Sequence, residues 1–146
     1  MPTYVTNKRA RFDYDILDTY EAGLVLSGPE VKSIRGGSVK LAGAFVTFHG
    51  NNAYLINLHV PRYKPAANLK DYNPERSRAL LLKTKEINYL RGKSQEQGLT
   101  IIPLALYTKG RHIKVEIGVA RGKKKYDKRE KIKKRDMKRD LARERK

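Results

Sequence analysis

The residues whose types and spacing most clearly indicate a binding function are the lysines and arginines concentrated at the C-terminal end of the chain. Residues 121–146 contain fifteen Lys or Arg and five Asp or Glu, a net charge of about +10 within +18 for the whole chain. Apolar side chains are few there, so this tail cannot bury enough surface to order itself. Ammonium and guanidinium groups at this density bind phosphates and release their counterions. The tail therefore predicts a strongly anionic partner, with nucleic acid the leading candidate.

A second set of cations lies in residues 1–120, which carry eighteen Lys or Arg against ten Asp or Glu. A basic folded unit with a basic arm is typical of RNA- or DNA-binding proteins, and a net charge of +18 exceeds what solubility alone requires. Nine tyrosines add rings on which unpaired bases can stack, although most tyrosines pack in or beside a core. The basic clusters are Lys8, Arg9 and Arg11; Lys32 and Arg35, one helical turn apart; and Arg76, Arg78, Lys83 and Lys85 around residues 80–82.

No group of residues has the pattern of a catalytic or metal site. His49, His59 and His112 fall in different predicted turns and strands, with no acidic cluster beside them. The glycines between Gly28 and Gly37 have neither the P-loop nor the dinucleotide-binding spacing. The chain contains no cysteine, which excludes disulfides and thiolate ligands. We therefore expect a protein that is not an enzyme and that holds no metal or cofactor.

The hydrophobicity pattern favours a cytoplasmic protein. The N-terminus has no apolar signal-peptide region, and no apolar run approaches the roughly 18 residues of a membrane span. The tail lacks the wide apolar stripe and the Trp or Phe anchors of a membrane-surface helix. We expect a monomer that does not bind membranes.

Short strands must position these cations. Alternation and turn signals predict strands at 12–16, 20–26, 44–48, 53–58, 100–107 and 112–119, a short buried run at 80–82, and a long loop at 61–74. Helices are predicted after Ser27, and from a cap at Thr84 to about residue 97. Gly23 marks a bulge or a close approach. This pattern favours a mainly β fold with short helices, a small closed antiparallel barrel of the oligonucleotide-binding (OB) type. We expect it to span residues 1–120, with 121–146 as a tail that is disordered or helical depending on its partner.

Four segments resemble one known family. They are NKRARFDY at 7–14, YEAGLVLSGPEVKSIRGG at 20–37, RSRALLLKTKEI at 76–87 and VARGKKKYDKRE at 119–130. In order and spacing they are similar to the bacterial tmRNA-binding protein family, also called SsrA-binding protein or small protein B. The resemblance runs from about Asn7 to the C-terminus.

The resemblance implies a function in ribosome rescue. It implies an OB-like barrel that binds the tRNA-like domain of transfer-messenger RNA, an RNA that rescues ribosomes stalled on truncated messages. It implies support for charging of that RNA by alanyl-tRNA synthetase and for its delivery with elongation factor Tu, both through the RNA. It places the tail in the decoding centre and vacant mRNA channel of the small ribosomal subunit, against its RNA. A general RNA-binding protein or a structural protein of the ribosome is the alternative.

The resemblance also assigns roles to individual residues. Glu21 would accept hydrogen bonds from base amino groups, and Leu81 would offer an apolar surface to a base unless it is a core leucine. Tyr126 stands where other members carry His, and either ring can stack. The family's RNA-contacting positions fall on Glu21, Leu81, Lys83 and Lys114, to which we add Lys123 and Lys124 as candidate RNA-binding cations. The tail positions assigned to the decoding centre and mRNA channel are Gly122, Tyr126, Asp127, Lys128, Arg129 and Lys133.

Overall fold

The computed structural model describes residues 3–63 and 72–123. The elements are β1 (Thr3–Thr6), α1 (Ala10–Asp13), β2 (Tyr14–Leu24), α2 (Gly28–Arg35), β3 (Phe45–His49), β4 (Asn52–Ile56), β5 (Arg78–Leu81), α3 (Thr84–Ser94), β6 (Leu99–Lys109) and β7 (His112–Gly122). Within these residues the strands form one sheet in the order β1-β6-β7-β2-β5-β4-β3, and all neighbours are antiparallel. The predicted mainly β fold with short helices is confirmed.

The sheet is not closed. Its hydrogen-bonded order ends at β1 on one side and at β3 on the other, although β3 comes close to β6. The prediction of a closed barrel is therefore not confirmed. The predicted hairpins β3–β4 and β6–β7 are both present.

The strand predictions differ from the structure at the N-terminal end. The two strands expected at 12–16 and 20–26 are one strand, β2, which follows β7 over its whole length. A shift in register between Ile16 and Asp18 lets this long strand bend, as a bulge does. Residues 10–13 form a helical turn rather than a strand, and β1 was not predicted at all. Four residues carry too little periodicity to reveal a strand, and only pairing with β6 defines β1.

The core lies on one face of the central strands. Ala22 and Leu24 of β2 and Val115 and Ile117 of β7 are buried, and so is Leu106 of β6. Successive side chains of a strand point to opposite faces, so the residues between these core positions share the outer face of the sheet. That outer face carries the candidate site described below.

Helices α2 and α3 begin and end close to their predicted positions. Ser27 caps α2: its hydroxyl accepts from the Glu30 N–H at 3.4 Å, and its own N–H donates to Glu30 Oε1 at 2.9 Å. For α3 the predicted cap, Thr84, is instead the first helical residue. The Lys83 N–H donates to Glu86 Oε1 at 3.1 Å, but a lysine side chain has no acceptor with which to complete a capping box.

Arg78 is not a surface cation, and the partly exposed Arg76 is paired with a buried carboxylate, contrary to the expectation for the cluster around residues 80–82. Arg78 is fully buried, and its Nε donates to Glu30 Oε2 at 2.7 Å. Its other donors reach the carbonyl oxygens of Leu58, at 2.7 Å, and Pro74, at 3.0 Å. Arg76 donates to the same Glu30 carboxylate. These two arginines join β5 to α2 and to the segment before β5, because a buried carboxylate needs charged partners.

Candidate nucleic-acid interface

Four residues form a row across the outer face of the sheet. Tyr107 of β6 is the register partner of Lys114 of β7, Lys114 is the partner of Gly23 of β2, and Gly23 is the partner of Leu81 of β5. Residues directly opposite each other in antiparallel strands share a face, and Glu21 shares it because it lies two residues from Gly23. The fold thus brings together three of the residues assigned from the family resemblance, Glu21, Leu81 and Lys114.

Gly23 is the reason that the row is continuous. A Cβ atom added there would lie 3.1 Å from Leu81 Cβ and 3.5 Å from Lys114 Nζ. The apolar side chain of Leu81 and the ammonium group of Lys114 therefore come together over a position that has no side chain of its own. The predicted close approach at Gly23 is confirmed.

Leu81 is exposed, although residues 80–82 were expected to be a buried run. Its exposed fraction is 64%, whereas Leu80 beside it is buried. Strand alternation explains the difference, because Leu80 faces the core and Leu81 the outer face. A leucine exposed next to a lysine ammonium can contact the face of an unstacked base while the cation contacts a phosphate. Lys83 follows two residues later, at the N-terminal end of α3.

The carboxylate of Glu21 is held by two side chains of β6. The Tyr107 hydroxyl donates to Oε2 at 2.6 Å, and Lys109 Nζ lies 3.2 Å from Oε1. The hydrogen bond from Tyr107 and the nearby ammonium groups of Lys109 and Lys114 outweigh desolvation and lower the pKa of the Glu21 carboxyl group. Burial and the bond to Glu21 raise the pKa of Tyr107, which stays a donor at neutral pH. Glu21 is therefore an oriented anion within a basic surface.

A cleft of about 200 Å³ opens beside the row. Val31 of α2 closes one side of it, and the β6–β7 turn contributes Arg111 and His112. No sequence motif singled out these two residues as RNA contacts, although the basic turn at 108–111 was a usable signal. The residues that line the cleft are Gly23, Leu24, Leu26, Val31, Leu81, Arg111, His112, Ile113 and Lys114.

Helix α2 separates this cleft from a second basic surface. Lys32 lines a cleft of about 410 Å³ together with Arg62 and Tyr63, and its Nζ lies 5.5 Å from the Tyr63 ring centroid. Arg35 lies on the same helix and is exposed. The predicted pair of cations on α2 therefore does not join Glu21, Leu81 and Lys114, but faces another side of the molecule.

The N-terminal cluster lies apart from both surfaces. Arg9 stands at the start of α1, where its guanidinium lies 3.7 Å from Asp13 Oδ1 and 5.1 Å from the Phe12 ring centroid. Arg9 also lines a cleft of about 430 Å³ with Asn7 and Phe45. Lys8 and Arg11 are on the same segment and are exposed.

The first three residues of the predicted tail, 121–123, are attached to the folded body, because Arg121 and Gly122 end β7 and Lys123 bonds to the segment around α1. Lys123 Nζ donates to the Arg11 carbonyl oxygen at 3.0 Å and lies 3.7 Å from Asp15 Oδ1, and its side chain is only 12% exposed. The Lys123 N–H donates to the Asp13 carbonyl oxygen at 3.0 Å. Gly122, the residue before, is the last of β7 and pairs with Tyr14. Lys124, Tyr126, Asp127, Lys128, Arg129 and Lys133 lie outside the described residues.

Within residues 3–63 and 72–123, no group of three or more His, Asp or Glu side chains is placed to hold a metal ion. None of the helices in this part of the chain has the length and apolar character needed to cross a membrane.

Comparison with known proteins addresses the resemblance directly. The model of the SmpB protein family matches residues 4–146. The chain belongs to the SmpB protein family. Curated relatives named SsrA-binding protein are 53% identical over 137 residues in Persephonella marina, covering 94% of this chain and 90% of that protein, and 53% identical over 137 residues in Streptomyces coelicolor, covering 94% and 86%. The family resemblance of the four sequence segments is confirmed.

A member of the SmpB family is also similar in structure. A solved chain from the work described as "tmRNA-SmpB: a journey to the center of the bacterial ribosome" superposes with a TM-score of 0.72 at 44% identity, covering 86% of this chain and 87% of that chain. Neither the family description nor the names of these relatives mention a catalytic activity.

Proposed function

We propose that this protein binds the tRNA-like domain of transfer-messenger RNA and brings it to stalled ribosomes, as an RNA-binding factor of trans-translation in the cytoplasm without catalysis of its own. Membership of the SmpB family supports the proposal, and so do the names of relatives that bind SsrA RNA. The observation that carries it is the meeting of an oriented carboxylate, an exposed leucine and a lysine ammonium at Glu21, Leu81 and Lys114.

These three groups suit a structured RNA with an unpaired base. An ammonium binds any phosphate, so Lys114 adds affinity without discrimination. The Glu21 carboxylate repels phosphates and accepts hydrogen bonds only from donors such as base amino groups. It therefore strengthens binding to an RNA that presents such a donor and weakens binding to RNAs that do not. Leu81 contacts the face of a base that has left its stack. We propose Lys83, Arg111 and His112 as the rim of the same contact.

The cations on the other sides of the body have a different role in this proposal. Lys32 and Arg35 on α2, Lys8 and Arg9 before α1, and Arg11 within α1 would contact RNA phosphates of the ribosome or of the same RNA. Since they do not adjoin Glu21, they would contribute salt-sensitive affinity rather than recognition. In the same proposal residues 1–120 are an OB-like body in which β3 comes close to β6, and residues 121–146 are the tail, whose first residues, 121–123, stay attached to that body.

The first experiment compares two RNAs of similar size, the tRNA-like domain of transfer-messenger RNA and an ordinary tRNA, across a salt series. Tighter binding to the tRNA-like domain that persists at higher salt supports recognition by shape and base contacts. Equal affinities with the same steep salt slope would leave phosphate attraction alone and favour a general RNA-binding protein.

A second experiment addresses the tail in the full-length chain. We expect that changing Lys128 and Arg129 to Ala abolishes tagging of nascent chains on stalled ribosomes but leaves binding to the tRNA-like domain within about twofold. The control changes Arg143 and Arg145 to Ala, which removes the same charge from the end of the tail. Equal loss of tagging in both variants would mean that only the total charge of the tail matters.

A further inference from the structure

Tyr107 has no proposed role in RNA binding so far, yet its hydroxyl lies closer to the Glu21 carboxylate than the Lys109 ammonium does, at 2.6 Å against 3.2 Å. To do so it reaches from β6 over the intervening strand β7, on which Lys114 is its own register partner. Neighbouring strands are about 4.8 Å apart, so a group on β6 needs the length of a tyrosine to reach β2. The Tyr107 hydroxyl and the Glu21 carboxylate are both on the outer face, beside the cleft.

We propose that Tyr107 is a positioning residue for RNA recognition, which fixes the Glu21 carboxylate so that its remaining acceptor sites point at the donors of an RNA base. This inference rests on the proposed function, because it concerns the same contact with RNA. A carboxylate has about four acceptor positions, and the bond from Tyr107 occupies one of them. The bond also removes the rotational freedom that Glu21 would otherwise lose on binding RNA.

Lys109 does not replace Tyr107 in this role. Its ammonium is on a flexible side chain, it is more exposed than the carboxylate, and an exposed ion pair of this kind contributes little and weakens with salt. An approaching phosphate would compete with Glu21 for the ammonium group of Lys109. The neutral Tyr107 hydroxyl already donates its one hydrogen bond to the Glu21 carboxylate, and a phosphate would attract it less strongly than it attracts an ammonium group. Tyr107 therefore holds the carboxylate when Lys109 moves to the RNA backbone.

The test is a double-mutant cycle measured on both RNAs. Tyr107→Phe removes one oxygen and keeps the ring, and we expect it to lower the preference for the tRNA-like domain over ordinary tRNA about fivefold. Glu21→Gln should lower it more, about tenfold or beyond, since it removes the charge itself. The double variant should match Glu21→Gln alone, because a positioning residue has no effect once the group that it positions is gone.

Tyr4→Phe is the matched control. The Tyr4 hydroxyl also bonds to a residue of β6, Thr108, but it does not touch Glu21. This variant should bind both RNAs like the wild type. If Tyr107→Phe behaves like Tyr4→Phe while the wild type discriminates between the RNAs, the inference is overturned. If the two losses multiply in the double variant, Tyr107 contacts RNA by itself and does not act through Glu21.

The pH dependence of binding gives a readout that a merely structural role would not move. Tyr107 lowers the pKa of Glu21, so its removal should shift the acid limb of binding to higher pH. In the part of the chain that the structure describes, the neighbouring strand positions of this face also carry Lys109, His112, Lys114 and Glu116, and the cleft adds Arg111. All five are unchanged in Tyr107→Phe. A displacement between the two curves therefore reports Glu21, and coincident acid limbs would contradict the proposal. A wild type that binds both RNAs equally would instead refute the proposed function.

Discussion

The guanidinium of Arg78 meets the carboxylate of Glu30 in the interior of the protein, where both side chains are fully buried, with Arg78 Nη2 2.6 Å from Glu30 Oε2. The Glu30 carboxylate also accepts a hydrogen bond from the Ser27 N–H at the start of α2, and it forms a second ion pair with the Arg76 guanidinium. One carboxylate therefore joins the start of α2 to β5, the strand that ends in Leu81. This relationship makes Glu30 a determinant of how the two sides of the cleft face each other.

Glu30→Gln should destabilise the protein by about 3–5 kcal/mol, because it leaves the buried guanidinium of Arg78 without its counter-charge and also removes the charge that holds the partly exposed Arg76. Urea unfolding measures the change. The control is Glu75→Gln, since Glu75 is exposed and its described ion-pair partner is His59, at 3.5 Å. We expect the control to change stability by less than about 0.5 kcal/mol. Similar losses in both variants would mean that the buried pair contributes little.

The same carboxylate should make stability depend on pH. Burial alone would raise the pKa of Glu30, but Arg76, the Ser27 N–H and Arg78 outweigh it and the pKa lies below 4.5. A lowered pKa in the folded state gives stability that is present above the unfolded value and is lost as pH falls through the folded value. The difference in unfolding free energy between wild type and Glu30→Gln should therefore be constant above about pH 5 and shrink below pH 4.5. A difference that stays constant to pH 3 would contradict this assignment.

Gly23→Ala should weaken RNA binding through Leu81 and Lys114. The new methyl group would meet Leu81 Cβ at 3.1 Å, close to the β5 backbone, so the pair must move apart. We expect a loss of about 1–3 kcal/mol of stability, as for overpacking, and several-fold weaker binding to the tRNA-like domain. Gly92→Ala is the control, since Gly92 lies within α3 with open space around it. That change should stabilise the protein by about 0.5–1 kcal/mol and leave binding unchanged.

Lys114 and Lys123 should differ in their effect on the salt dependence of binding. Lys114 Nζ lies over Gly23 on the outer face, so Lys114→Ala should reduce the salt slope for the tRNA-like domain by about 1. The ammonium group of Lys123 already interacts with the Arg11 carbonyl oxygen and the Asp15 carboxylate, so Lys123→Ala should leave the salt slope unchanged. That Lys123 binds RNA stays a prediction, and a slope reduced equally by both variants would support it over a role in anchoring the tail.

Local patterns in the sequence predicted much of the architecture. The hairpins at β3–β4 and β6–β7, the start of α2 at Ser27 and the close approach at Gly23 all depend on neighbouring residues, through turn chemistry, capping and alternation. Net charge also follows from the sequence without knowledge of the fold, so the basic tail predicts an anionic partner independently of the tertiary structure. Motif order was enough to identify the family, because several segments had to agree.

Local sequence patterns could not predict which charges face solvent or which distant residues meet, because both depend on tertiary contacts. Nothing local separates Arg78, which is fully buried against Glu30, from Lys83, five residues later at the surface. The partner of Arg78 lies 48 residues away in the chain, and burial depends on that partner. Likewise Tyr107 reaches Glu21 across 86 residues, because β2 pairs with β7, the second strand of the β6–β7 hairpin. Charge, turns and family could thus be predicted from the sequence, whereas long-range strand pairing was needed to bring the residues of the candidate site onto one face.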